Sequence, residues 1–364
     1  MRNISNIFEL ETLEFICQNT EPLDAEFSLG LFFNSTEERS LEYCKLFKDK
    51  AIKYSILVNF KDEDSNLKTN NLKTNEDNLT EKSIMHEIVT IDDIFDYQNN
   101  LNLIIAKIPR SLFTIHSKFF IDITGIPLIY SVALLKYFKM SFPCPTLYLL
   151  NVSGKYQYEE KPQFSEGISE NIFIPGYYGK PDHSKPQMYI FLLGYEGERS
   201  LNIFKDNDPD FVEVIIPAPG YEEGNPEKTI RYNKDFLKEA EFIIEFKGSN
   251  IPCDEDIITI PYIEKDNNEK VERKFIYKNS TNKSMNSVYV GSPVDICNKI
   301  LEIYEQYKNL ADIRLVPLGP KPHAIGAGLA ALVEENISIM YQTPKKYSME
   351  EVLAGDKMWI YIIK

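Results

Sequence analysis

Residues 27–41 read FSLGLFFNSTEERSL, and residues 188–201 read MYIFLLGYEGERSL. Each opens on an apolar run, Phe27 to Phe33 in the first and Tyr189 to Leu193 in the second, of the length and continuity expected of a strand buried on both faces. A short polar loop follows, and both stretches close on the same four residues at an offset of 160, Glu38-Arg39-Ser40-Leu41 and Glu198-Arg199-Ser200-Leu201. The pattern predicts, twice, a strand, a loop and an arginine on the opening turn of a helix.

Working outward, three more landmarks recur in order. A second strand is predicted at Tyr54–Phe60 and at Phe211–Ile216. A third runs into a helix, as Phe119–Ile123, Thr124-Gly125-Ile126-Pro127 and a helix from about Leu128 to Phe138, and again as Ile313–Val316, Leu318-Gly319-Pro320-Lys321-Pro322 and a helix from about His323 to Glu334. A fourth follows at Thr146–Val152 and Ile337–Tyr341. Strands alternating with helices imply mainly parallel sheets and βαβ crossovers. The expected fold is therefore α/β, with two tandem Rossmann-like units, mainly parallel sheets and an internal duplication that forms a pseudo-dimer. The expected boundaries are 1–156 for the first unit, 157–186 for a proline-containing linker and 187–364 for the second unit. Residues 62–84, with the tandem Asn66-Leu67-Lys68-Thr69-Asn70 and Asn71-Leu72-Lys73-Thr74-Asn75, are too polar for a core and read as a mobile loop. An insertion is expected at 222–285, with a small meander from Ile257 to Tyr277.

At 364 residues the chain is long enough for two cores, and 43% hydrophobic with 26% charged residues is a globular balance. The net charge of −15 opposes non-specific binding to a phosphate backbone, so no bulk nucleic-acid partner is expected. Cys17, Cys44, Cys144, Cys253 and Cys297 stand far apart and form no Cys-x-x-Cys pair, which suits free thiols in a reducing cytosol. The four histidines show no metal-ligand spacing, and no apolar run has membrane-spanning length, so neither a metal nor a membrane partner is expected. The expected localisation is cytoplasmic.

In open α/β sheets ligands bind beyond the carboxyl ends of the strands, where helix N-termini expose free N–H groups. Thr124-Gly125 and Gly319-Pro320-Lys321 fall at that place. The glycines permit close backbone approach and Lys321 offers a point charge for phosphate; the plainer reading is two tight turns with a solvated lysine. Arg39 and Arg199 clamp a phosphate, pair with an acidic partner across the pseudo-dimer, or pair locally with Glu38 and Glu198 at the helix starts. Asp122 is a ligand-contacting carboxylate or a loop acceptor, and Thr124 a contact or an N-cap. His323 donates to a ligand from the first helical turn or has a structural role. The helix after it holds Ala324, Gly326, Ala327, Gly328, Ala330 and Ala331, a small face suited to close packing against the sheet or the other copy.

Catalytic signatures are sparse. Arg110 and His116 have a ribonuclease-like spacing but no long helix to carry it, and Glu245-Phe246-Lys247 lacks a convincing strand for the accompanying Asp208 and Asp210. Gly-x-Ser-x-Gly, Walker-type and Gly-x-Gly-x-x-Gly patterns are absent, so no cofactor is expected.

With these loops in hand, the chain resembles the CRISPR-associated Rossmann-fold (CARF) sensors and the related two-copy SAVED domains of bacterial antiphage signalling. Those families carry a Thr-Gly-Gly-Thr-Lys-like turn before a small-residue helix, and it contacts a cyclic oligonucleotide where two copies meet. Leu318-Gly319-Pro320-Lys321 matches its Gly and Lys, and Asp122-Ile123-Thr124-Gly125 its Thr-Gly start, with Pro127 in place of the lysine. The resemblance implies a nucleotide-binding sensor or regulatory subunit of a defence system. Its ligand would be a nucleotide or cyclic oligonucleotide, held by Thr124, Gly125, Gly319 and Lys321 with Arg39 and Arg199 flanking, and a separate effector protein would read it. Two other classes stay open: a non-catalytic scaffold of a defence complex, and a hydrolase or transferase on nucleotides with Asp122 or Glu198 as base.

Overall fold

The computed structural model describes residues 7–61, 66–155, 164–222, 224–246, 256–263, 270–277, 283–347 and 352–364. Its first half supplies β1 (Leu10–Ile16), β2 (Phe27–Asn34), β3 (Ile52–Phe60), α1 (Asn66–Lys82), β4 (Ser83–Ile91), α2 (Tyr97–Ala106), β5 (Lys118–Asp122), α3 (Leu128–Lys139) and β6 (Thr146–Lys155). Two short strands follow, β7 (Ser165–Glu166) and β8 (Asn171–Phe173), and then β9 (Gln187–Leu192), α4 (Gly197–Asn207), β10 (Phe211–Pro217), α5 (Asn225–Tyr232) and α6 (Lys234–Glu239). The rest of the chain forms β11 (Ile243–Phe246), β12 (Asp256–Ile263), β13 (Lys270–Tyr277), β14 (Lys283–Val288), α7 (Pro293–Tyr307), β15 (Asp312–Pro317), α8 (Lys321–Val333), β16 (Ser338–Gln342), β17 (Lys346–Tyr347) and β18 (Leu353–Ile363).

Two mainly parallel sheets carry the fold. In the first, β6-β5-β2-β3-β4 are parallel neighbours; in the second, β16-β15-β9-β10-β14 are. Counted along the chain, both orders read fifth, fourth, first, second, third. The central β2 and β9 are the two apolar runs that open the sequence repeat. They are almost wholly buried because helices cover both faces, which is why their sequences do not alternate. Beside each of them the chain departs to opposite sides, toward β3 and β5 in one sheet and toward β10 and β15 in the other. Such a divergence leaves a crevice at the carboxyl ends.

The two sheets are joined through helices. α8 packs on α7 and on α3, and the side chains of all three share one core that includes Leu134, Leu135, Ile300, Ile325 and Leu329. The small face of α8 serves both contacts. A methyl group on Gly326 would lie 1.7 Å from Ile296 Cγ2 of α7, and one on Gly328 would lie 3.0 Å from Leu135 Cδ2 of α3.

Several boundaries differ from the sequence reading. Residues 66–82, expected in a mobile loop, form α1 and bury Lys68, Asn71, Asn75 and Leu79. Leu79 joins the apolar core, and two of the other buried positions are amides: Asn75 Nδ2 donates to Asn34 Oδ1 at 3.3 Å, Asn71 Nδ2 to the Ser35 carbonyl at 2.9 Å, and Tyr43 Oη to Asn75 Oδ1 at 2.9 Å. Buried amides are tolerated when they are hydrogen-bonded, and here they tie the helix to the end of β2. The segment 157–186, read as linker, contains β7 and β8 and buries Ile174 and Tyr177. The insertion at 222–285 includes α5, α6 and a three-stranded antiparallel sheet of order β11-β13-β12, in which the hairpin β12–β13 takes the place of the expected meander; its last residues begin β14, a principal strand. Leu353–Ile363, assigned to the second unit, pairs antiparallel with β6 and β1 and so completes the first sheet. Cys253 and residues 62–65 lie outside the described residues.

Candidate functional site

The carboxyl ends of both parallel sheets open onto one cavity of about 260 Å³. The first half contributes the loop after β2 (Glu37, Arg39), the start of α3 (Ile126 to Leu128) and the end of β6. From the second half come the loop after β9 (Gly194 to Glu196, Arg199), the loop after β15 (Pro317 to Lys321), and Tyr221, Tyr341 and Tyr347.

The repeated arginines occupy matching places, and their partners differ from those the sequence suggested. Arg39 Nε bonds Glu37 Oε2 at 2.8 Å and Nη1 donates to the Val152 carbonyl at 2.9 Å, which ties the loop to β6. Arg199 Nη1 bonds Glu196 Oε2 at 2.7 Å, and its guanidinium lies 4.7 Å from the centroid of the Tyr341 ring. Glu37 and Glu196 each stand just before the helical turn, whereas Glu38 and Glu198 face solvent. Arg199 is only 4% exposed, and its Nε and Nη2 have no well-aligned acceptor, the Tyr341 side chain being their polar neighbour.

Lys321, on the first turn of α8, crosses to the other half and donates from Nζ to the Thr124 carbonyl. Burial pulls its pKa down to about 8, opposed by the Glu37 and Asp122 charges and assisted by Arg39. Gly319 also lines the cavity. A methyl there would lie 2.7 Å from the Leu193 carbonyl, so glycine is required for the two loops to touch.

Asp122, Thr124, Gly125 and His323 are not part of the cavity wall. Asp122 is sealed behind it and accepts the Thr124 backbone N–H at 2.8 Å; Thr124 Oγ1 in turn accepts the Val152 N–H at 3.1 Å. Gly125 packs against Ser35, where a methyl would lie 2.8 Å from Cβ. His323 is fully buried and donates from Nε2 to the Tyr289 carbonyl at 3.1 Å. These four residues shape the loops. Neither carboxylate considered as a base, Asp122 or Glu198, reaches the cavity. The aromatic lining, Phe164, Tyr195, Tyr221, Tyr341 and Tyr347, escaped sequence reading because its members are scattered over almost 200 positions and share no motif.

Two of the buried groups oppose one another in acid. Burial pushes the Asp122 carboxyl up from 3.8 to about 6, so its contribution favours the folded state at low pH and is lost as pH rises through about 6. Burial pushes His323 down from 6.5 to about 4, so its contribution is present above pH 6.5 and is lost as pH falls toward 4. Each amounts to about 3 kcal/mol. In the native chain the two largely offset. Asp122→Asn keeps the acceptor for Thr124 and removes one side of the balance. The variant is expected to lose about 3 kcal/mol more than the native chain between pH 6.5 and pH 4, measured by urea unfolding. Parallel stability profiles for the two proteins would contradict this assignment.

Among the described residues no group of three or more His, Cys, Asp or Glu side chains is placed to hold a metal ion, and no helix is long and apolar enough to cross a membrane. No family model matches the chain, and no curated protein matches it either.

Proposed function

We propose that the chain consists of two diverged copies of one Rossmann-like unit and that the cleft between them binds a small phosphorylated ligand of the nucleotide class. The protein then acts as a sensor or regulatory subunit for a separate effector, in the manner of the CARF and SAVED families it resembles. One observation carries this reading. The cavity is built by the loops after the first and fourth parallel strands of both halves, and each half brings the arginine of its Glu-Arg-Ser-Leu repeat to the wall. Such divergence points are where open α/β sheets hold ligands, because helix N-termini and free N–H groups converge there. Lys321 adds a cation that touches both halves at once, so an anion drawing it from the Thr124 carbonyl acts directly on the contact between the copies.

The test is thermal melting of the full chain with nucleoside mono-, di- and triphosphates and with cyclic di- and trinucleotides. A ligand that binds only the folded state raises the melting temperature with concentration, by about 2.7 kcal/mol of stability at a hundred times its Kd. Lys321→Ala is expected to weaken that response about tenfold. If no nucleotide moves the transition, the reading is wrong.

A further inference from the structure

Although the two halves contribute matching loops, the walls they build are unequal. Among the described residues, every aromatic side chain at the cavity comes from the second half or from the segment leading into it. The first half contributes Ile126, Pro127, Leu128 and Asn151 to the wall and no aromatic ring. Phe164 and Tyr195 stack at a centroid distance of 6.4 Å, and Tyr221 stacks on Trp359 at 4.8 Å. The second half therefore presents braced, flat surfaces, against which a planar ring packs with little loss of side-chain freedom.

The cations are equally one-sided. Arg39 has Nε on Glu37 and Nη1 on a main-chain carbonyl. Its counterpart Arg199 is almost completely buried, has one nitrogen on Glu196, and has no well-aligned acceptor for the other two, which lie against the Tyr341 side chain. A buried donor left without an acceptor is costly, and an anion bound at the opening turn of α4 removes that cost and meets the positive end of the helix dipole. Those two nitrogens are shielded from water, so the anion reaches them as the guanidinium turns off the Tyr341 face. Lys321 belongs to the same half, whereas the first half has Pro127 in the corresponding turn.

Charge and size narrow the ligand further. The wall holds three cations, Arg39, Arg199 and Lys321, and three carboxylates, Glu37, Glu196 and Glu222. Such a balanced site suits a ligand of low charge and disfavours a polyphosphate. A volume of about 260 Å³ also falls just below the range of about 300–1,000 Å³ usual for drug-sized ligands.

We propose that the cleft takes an asymmetric ligand with one flat aromatic ring and one anionic group, of the nucleoside monophosphate class, with its anion at Arg199 and its ring on the Tyr195–Tyr221 side. This rests on the reading above that the cleft is a nucleotide site, and it narrows that reading to a ligand that engages chiefly one half.

Isothermal titration of the full chain tests it, with AMP, GMP, CMP and UMP as probes, together with the four corresponding nucleosides, inorganic phosphate, cyclic di-AMP and cyclic di-GMP. One monophosphate is expected to bind at one per chain. The corresponding nucleoside and inorganic phosphate should bind at least tenfold more weakly, and the cyclic dinucleotides more weakly still. Tyr195→Leu and Arg199→Gln should each reduce monophosphate affinity tenfold or more. Tyr195 is half-buried, so its variant keeps the test valid if Arg199→Gln does not fold. Tighter binding of a cyclic dinucleotide than of any monophosphate overturns this inference and leaves the proposed function standing. Inorganic phosphate binding as tightly as the monophosphate removes the ring, and unchanged affinity in Tyr195→Leu moves the ligand elsewhere; both overturn it. No binding by any nucleotide overturns both proposals.

Discussion

Deleting residues 353–364 is expected to leave a chain with no cooperative unfolding transition. The deleted segment contains β18, an interior strand of the first sheet, hydrogen-bonded to β1 on one side and β6 on the other. Its side chains Met358, Trp359, Ile360, Tyr361, Ile362 and Ile363 are all at most 5% exposed. Truncating one buried large apolar side chain costs about 2–5 kcal/mol, and the total stability of a domain is about 5–15 kcal/mol. Loss of six such side chains, and of the ladder on both flanks, exceeds anything the remainder can supply. The comparison is made by urea titration followed by circular dichroism. A sharp transition near that of the intact chain would show that the first sheet closes without its last strand. The single change Trp359→Ala, expected to cost about 3–5 kcal/mol, gives an intermediate point on the same scale.

Gly326→Ala is the second large effect. Alanine is normally the better helix former, by about 1 kcal/mol, so propensity alone forecasts stabilisation. Packing reverses the sign. The new methyl would sit 1.7 Å from Ile296 Cγ2 and 2.6 Å from the Pro293 carbonyl at the start of α7. The side chain of Ile296 can turn away, but the carbonyl belongs to the backbone, so α7 and α8 must separate. Forcing extra volume into a packed core costs about 1–3 kcal/mol; the backbone clash puts this site at the upper end, and after the helix-propensity gain the net expectation is a loss of about 2 kcal/mol in denaturant unfolding. Gly328→Ala is the internal control, because its neighbours are side-chain atoms at 3.0–3.2 Å, and a loss of about 1 kcal/mol is expected there. Equal losses in the two variants would mean that the α7 contact is no tighter than the α3 contact.

What the sequence revealed follows from where each signal is stored. The central strands were legible because burial on both faces makes them continuous apolar runs, and the repeated Glu-Arg-Ser-Leu stretch marks corresponding loops. Gly319 and Lys321 were found through the same logic and do line the cavity. The edge strands β4 and β14 were missed. In β4, Ile84 and Met85 lie exposed while Val89 and Ile91 are buried, so its apolar residues do not mark a single face. α1 was missed because only Leu79 among its buried positions is apolar; the others are Lys68 and two asparagines, whose partners are carbonyls and amides distant in sequence. The residues of β18 were assigned to the second unit because its partner β6 lies some 200 residues away, and pairing at that range leaves no local trace. In the site, Asp122 and His323 were drawn in by their chemistry, yet both are sealed behind the wall, and the tyrosines that replace them come together only through sheet geometry.

The stack of Tyr221 on Trp359 has a practical consequence. Trp359 is the one tryptophan in the chain, it is 1% exposed, and its Nε1 donates to Glu14 at 3.1 Å. Its indole therefore emits from a dry, fixed setting, and the ring that covers it is itself part of the cavity wall. Any molecule that settles against Tyr221 changes the surroundings of the sole indole fluorophore. The protein carries a built-in optical reporter one ring away from its cleft, and occupancy can be followed as a change in emission without a label.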